Sequence, residues 1–188
     1  MNSTPDTIKV AILATDGYEQ SELLEPKQTL EEAGITVHVI SDRDGVIQGY
    51  RHEDKADTVA VDQTFDQANA EDYDAVVLPG GVINSDAIRL LPQAQIFVRQ
   101  LDAAGKPIAV ICHGAWLMIS ADAVRGRALT SWPSLRDDIR NAGGIWLDQE
   151  LVKDRNLISS RSPQALPAFN RALLAALQHA PEPAEWES

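Results

Sequence analysis

The chain has 188 residues, one cysteine, and 16 Lys and Arg against 28 Asp and Glu, for a formal net charge of −12. That length supports one domain with a core large enough to need neither disulfides nor a structural metal, and a lone cysteine excludes an internal disulfide. With no Lys/Arg-rich stripe, phosphate backbones and anionic membranes are poor partners, because both need concentrated positive charge.

The opening residues, MNSTPDTIKVAILATDG, carry no basic stretch followed by a long apolar segment, and no later apolar run is long enough to cross a bilayer. The expectation is a soluble cytoplasmic protein, in keeping with a single unpaired thiol.

In chain order, the apolar run at 8–14 predicts a strand buried on both faces. Leu23, Leu24, Leu30 and Ala33 then recur at helical spacing, and Gly34 stops that helix. A strand at 35–41 completes a β-α-β unit. Residues 42–70 read as a polar excursion with two short strands in a hairpin.

A strand at 75–78 stops at Pro79-Gly80-Gly81, a single long helix is predicted over 85–104, and the next buried strand is PIAVIC at 107–112. Short helices follow at 114–122 and 134–142 and a last one at 163–178, with short strands near 128–130, 151–153 and 157–160. The alternation predicts an α/β fold, a mainly parallel sheet sandwiched by helices, with a core over about 8–178 and flexible termini. The tail APEPAEWES has two prolines and is predicted extended.

In such a sheet, ligands gather outside the carboxyl ends of the strands. Three segments deliver polar residues there: DGYEQSE, PGGVINSD and CHG. Cys112 falls at a strand-to-helix turn, where Gly114 and Ala115 leave room for a tight elbow and the first helix amides favour a thiolate. The bland alternative is a small buried hydrophobe.

His113 could act as general base through its ring or donate only its backbone N–H to an oxyanion. Glu19 and Glu22 are three apart and are expected to share a helix face; Glu19 could do no more than complement the helix dipole. A Glu beside the sulfur would be crowded by its charge and have a raised pKa, so it could offer a proton. Pro79-Gly80-Gly81 is either a plain loop or one side of an oxyanion hole. His38, His52 and His179 carry no catalytic signal. No Cys/His cluster has metal-ligand spacing, and no phosphate-loop or dinucleotide motif is present.

The stretches GYEQSELLEP, VVLPGG, GKPIAVICHGAWLMISA, GRALTSWPSLRDDIRNAGG and SSRSP, in that order, resemble the PfpI (ThiJ/PfpI) family of the flavodoxin-like, class I glutamine amidotransferase-like fold. The likeness runs over about residues 8–178. It implies Cys112 as nucleophile, His113 as base, Glu22 as the carboxyl beside the sulfur, and Glu19 as a second acidic position. It also implies an oxyanion hole from the Gly81 and His113 amides. Asp86 matches the acidic residue that completes a triad from a neighbouring subunit, so a homo-oligomer, at least a dimer, is implied. Trp132 stands where family peptidases often carry Tyr, and it is expected to contact substrate without offering a hydroxyl.

The resemblance further implies a cofactor-free stress protein acting on aldehyde adducts of proteins or small molecules. A cysteine peptidase and a redox sensor that oxidises Cys112 are the alternatives.

Overall fold

The computed structural model describes residues 7–178; the first six residues, His179 and the tail predicted to be extended lie outside them. The chain runs β1 (Lys9–Leu13), β2 (Tyr18–Glu19), α1 (Gln20–Glu32), β3 (Thr36–Ser41), β4 (Val46–Arg51), β5 (Asp54–Ala60), β6 (Gln63–Thr64) and β7 (Ala75–Leu78). It continues with α2 (Val82–Ile88), α3 (Pro92–Ala103), β8 (Ile108–Ile111), α4 (Ala115–Ser120), β9 (Ala128–Leu129) and α5 (Arg136–Asn141). The last elements are β10 (Ile145–Trp146), β11 (Leu151–Asp154), β12 (Leu157–Ser160) and α6 (Leu166–Gln178).

Seven strands form one sheet in the order β11-β12-β8-β7-β1-β3-β6. Only β11 is antiparallel to its neighbour. The apolar runs reflect burial on both faces: in β1, Val10 and Ile12 join one core cluster while Ala11 and Leu13 join the other. The first cluster is closed by Leu23 and Leu30 of α1 and by Leu166, Phe169 and Leu173 of α6. The second is closed by α2, α3, α4 and α5, through side chains such as Ile88, Phe97, Leu117 and Ile139.

The polar excursion is more ordered than a hairpin. β4 and β5 pair antiparallel, and β2 adds in parallel beside β4, giving a small three-stranded sheet that leans over the start of α1.

One predicted element is corrected. The single helix expected over 85–104 is two helices, because Pro92 forces Leu91 into extended backbone (φ −81°, ψ 113°) and then opens α3 from its first position. The break gives α2 its own axis, with its N-terminus directly after Gly81. Among the described residues no helix is long and apolar enough to cross a membrane.

Phe169 is fully buried in the cluster that also contains Cys112. Phe169→Ala is expected to lower unfolding free energy by about 3–5 kcal/mol, read by urea titration.

Candidate active site

The site lies where three strands of the main sheet end. β8 delivers Cys112, β7 delivers Pro79-Gly80-Gly81, and β1 leads through Gly17 to β2 and the first turn of α1. Cys112 has φ +60°, a left-handed conformation rarely adopted by a residue with a side chain. The strain is held by its surroundings: β8 is fully buried between β7 and β12, and the Cys112 carbonyl accepts from the Trp132 N–H at 3.2 Å. A single 3₁₀ turn, Cys112–Gly114, then feeds α4.

Glu22 is completely buried in the first turn of α1. Its Oε1 accepts the Gly80 N–H at 3.0 Å, while Oε2 has no hydrogen-bond partner. The facing group is the Cys112 thiol: burial and then the Glu22 charge push that thiol up, while the His113 and Gly81 N–H groups pull it down. Burial and then the Glu19 charge push the Glu22 carboxyl up to about 8, against hydrogen bonding from the Gly80 N–H and the Cys112 thiol, which pulls it down.

The sequence-based expectation of a thiolate made by helix amides alone is therefore corrected. The amides do point at the sulfur, but desolvation outweighs them. Because the Glu22 charge disfavours ionisation of the thiol and burial disfavours both anions, the pair carries one negative charge at most. A protonated Glu22 removes the repulsion and offers its O–H toward the sulfur.

His113 is nearly buried, and its Nδ1 lies 3.4 Å from Cys112 Sγ. The ring is fixed edge-on to Trp116 at 5.3 Å between centroids and stacked on Trp132 at 6.0 Å. Trp116 is itself anchored through Nε1 to Asp138 Oδ2 at 3.0 Å and covered by the Arg89 guanidinium. Burial pulls the imidazole down, so the ring is neutral near pH 7 and can accept the thiol proton. His113 thus presents both its ring and its backbone N–H to the sulfur.

Gly80 and Gly81 are required by close approach. A Cβ on Gly80 would lie 2.5 Å from Glu22 Oε1 and 2.9 Å from Cys112 Cβ. Gly81 has φ +84°, and a Cβ there would lie 2.3 Å from the Gly17 carbonyl oxygen.

Glu19 does not share a helix face with Glu22. It precedes the helix in extended backbone, and its Oε2 accepts the His52 N–H at 3.0 Å, pinning the β4–β5 tip over the site. Trp132, 41% exposed, lines the same cavity of about 690 Å³ as Glu19, Glu22, Gly81, Cys112 and His113. Asp86 is exposed on α2, does not line that cavity, and makes no hydrogen bond to His113 within one chain.

Asn84 was missed in the sequence. Fully buried in α2, its Nδ2 donates to the Gly80 and Pro79 carbonyls at 3.0 and 3.3 Å, and its Oδ1 accepts the Thr15 N–H at 2.8 Å. It ties the ends of β1 and β7 together under the Gly80-Gly81 turn. Tyr50, His52 and Glu53 of the hairpin tip were also missed as cavity residues; a polar loop gives no sign of which strand end it will cover. Among the described residues, no group of three His, Cys, Asp or Glu side chains is arranged to hold a metal ion.

The raised carboxyl makes a stability prediction. Glu22 binds a proton in the folded state between about pH 4.5 and about 8 that it has already lost when unfolded, so stability falls as pH rises through that window. Glu22→Gln keeps an acceptor for Gly80 and is expected to melt above the parent protein, with an advantage on the order of a few kcal/mol at pH 8 that vanishes near pH 4.5. A pH-independent difference in thermal melts would contradict this.

Residues 8–176 match the DJ-1/PfpI family. "Deglycase PfpI" of Pyrococcus furiosus is 40% identical over 91% of this chain and 100% of its own length. "Protein/nucleic acid deglycase 2" of Escherichia coli is 39% identical over 90% of this chain and 97% of its own. Among solved structures, a two-domain protein of Anabaena variabilis with DJ-1/ThiJ/PfpI-like and ferritin-like domains superposes with a TM-score of 0.87 at 34% identity, covering 97% of this chain and 52% of that one. A mostly parallel sheet ending in a strained cysteine beside a buried glutamate agrees with that match: the chain belongs to the DJ-1/PfpI family.

Proposed function

We propose that the chain is a cofactor-free deglycase, a cysteine-dependent hydrolase acting on adducts formed between methylglyoxal-type aldehydes and amines or thiols. The observation that carries this reading is the Glu22 carboxyl, buried beside Cys112 with Oε2 unpartnered and its pKa raised to about 8. A carboxyl able to give and take a proton near neutrality is what an aldehyde adduct needs on the carbon next to sulfur. The deglycase names of relatives near 40% identity support the same chemistry.

For an aminocarbinol, R–NH–CH(OH)–CO–CH₃, the steps balance without an external oxidant. His113 Nδ1 takes the thiol proton; the sulfur bonds to the carbinol carbon as the C–N bond breaks, and Glu22 protonates the departing amine. Glu22, now a carboxylate, removes the C–H proton of that carbon and returns it to the neighbouring ketone carbon. The carbinol hydroxyl proton passes to the ketone oxygen. Two electrons move from the first carbon to the second, leaving a lactoyl thioester; the oxyanions of the enediolate before it and of the tetrahedral species in its hydrolysis face the Gly81 and His113 N–H groups. Water hydrolyses the thioester; the protons held by His113 and freed from the water restore the thiol and the Glu22 carboxyl, and lactate leaves with release of one proton.

The same reading includes a homo-oligomer in which Asp86 meets His113 of a neighbouring copy. Its support is the exposure of Asp86 on α2 beside the exposed apolar Val82, Ile83 and Leu90.

Lactate release from methylglyoxal-treated N-acetylcysteine is the direct assay. Cys112→Ser is expected to abolish turnover, and Glu22→Gln to lower kcat by roughly 10²-fold or more while Cys112 still reacts with iodoacetamide. Undiminished turnover in Cys112→Ser would refute the reading. Casein cleavage that disappears in Cys112→Ser, without lactate release, would replace it with a peptidase.

A further inference from the structure

Asn84 is a fully buried amide whose hydrogen-bond partners all belong to the main chain. Those partners fix which way the amide faces, because the Thr15 N–H needs an acceptor and the Gly80 and Pro79 carbonyls need donors. Both Nδ2 hydrogens are therefore used. No other side chain of this size offers the same set: Asp has no donor, Leu has no polar group, and Ser has one donor only.

These bonds hold the orientation of two successive peptide planes. Every peptide bond among the described residues is trans, so a carbonyl and the N–H that follows it point in opposite directions. In the Pro79–Gly80 plane, Asn84 holds the carbonyl at 3.3 Å and Glu22 Oε1 holds the Gly80 N–H at 3.0 Å. In the Gly80–Gly81 plane, Asn84 holds the carbonyl at 3.0 Å, the Glu19 N–H adds a longer bond to it at 3.4 Å, and the Gly81 N–H faces the Cys112 sulfur. That second plane joins two residues without side chains, so turning it over meets little steric resistance of its own. A turned-over plane would set the Gly80 carbonyl where an oxyanion has to be received.

Resting on the oxyanion role given above to the Gly81 N–H, we infer that Asn84 is a positioning residue for catalysis: it holds the Gly80–Gly81 peptide in the orientation that offers an N–H, not a carbonyl, to the oxyanion formed at Cys112. Glu22 and Asn84 divide the turn between them, Glu22 holding the N–H of the first plane and Asn84 the carbonyls of both. The consequence is specific to attack on a carbonyl. Sulfur adding to a carbonyl carbon puts negative charge on oxygen and needs the N–H donors, whereas sulfur displacing iodide from iodoacetamide puts none there.

The test measures, on the full chain, the rate of Cys112 acetylation by p-nitrophenyl acetate and of its alkylation by iodoacetamide, with N-acetylcysteinamide as the free-thiol reference. In the parent protein the acetylation-to-alkylation ratio is expected to exceed that of the free thiol by about tenfold or more. Asn84→Ala is expected to slow acetylation by about 10²-fold, the scale of one lost oxyanion donor, while alkylation stays within about threefold. Asn84→Ser, which keeps one donor, should fall between. Lactate release from methylglyoxal-treated N-acetylcysteine should follow acetylation, with kcat falling and KM nearly constant.

A parent ratio equal to that of the free thiol, or a ratio that Asn84→Ala and Asn84→Ser leave unchanged, would overturn the proposal, as would equal falls in acetylation and alkylation. Should neither variant fold, hydrogen exchange in the parent protein decides: both Asn84 Nδ2 protons are expected to resist exchange into D₂O, and exchange of either at the rate of an exposed amide would overturn the role. A ratio that collapses in Asn84→Ala, in a protein that releases no lactate from any adduct, would support the positioning role while refuting the deglycase reading.

Discussion

The geometry of the site hangs on the buried carboxyl of Glu22. Its Oε1 holds the Gly80 N–H, which locks the first turn of α1 to the turn after β7. Its other oxygen is buried and faces the sulfur at the end of β8. Three strand ends that are distant in sequence are thereby brought to one point. An ionised carboxyl at that depth is expensive, so burial pushes the Glu22 carboxyl up to about 8. The same arrangement that makes the pair uncomfortable as two anions makes it able to exchange protons near neutral pH.

Rigid support surrounds this pair on every side. Asn84 anchors the glycine turn from beneath, Trp116 and Trp132 fix the His113 ring, and the Trp132 N–H holds the strained Cys112 backbone through its carbonyl. The hairpin tip, pinned by Glu19, closes the cavity from above. A nucleophile with a left-handed φ is maintained only because these contacts over-determine it, and the core cluster beneath, shared with Phe169 and Leu23, gives them a stiff base.

Much of this was legible in the sequence because the relevant signals are local. Continuous apolar runs mark strands buried on both faces, and glycines beside CHG and after the β7 strand mark places where backbone must come close. The lone cysteine was found for that reason, whereas Glu22 was set apart from Glu19 only by the resemblance of GYEQSELLEP to the PfpI family. What the sequence concealed depends on three-dimensional placement. The break at Pro92 was hidden by apolar residues that kept helical spacing across it; the proline itself was the available signal. Asn84 looks like an ordinary loop residue until α2 buries it. Desolvation of Cys112 is a property of the whole enclosure, so helix amides alone gave the wrong sign for its pKa. The position of Asp86 relative to a second copy lies beyond any single-chain pattern.

The central claim, that Glu22 holds a proton beside Cys112 near neutrality, is tested most directly by following the Glu22 side-chain carboxyl carbon in a pH titration by NMR, assigned by comparison with Glu22→Gln. A midpoint near 8 is predicted. A midpoint near the ordinary carboxylate value of about 4.3 would contradict the account.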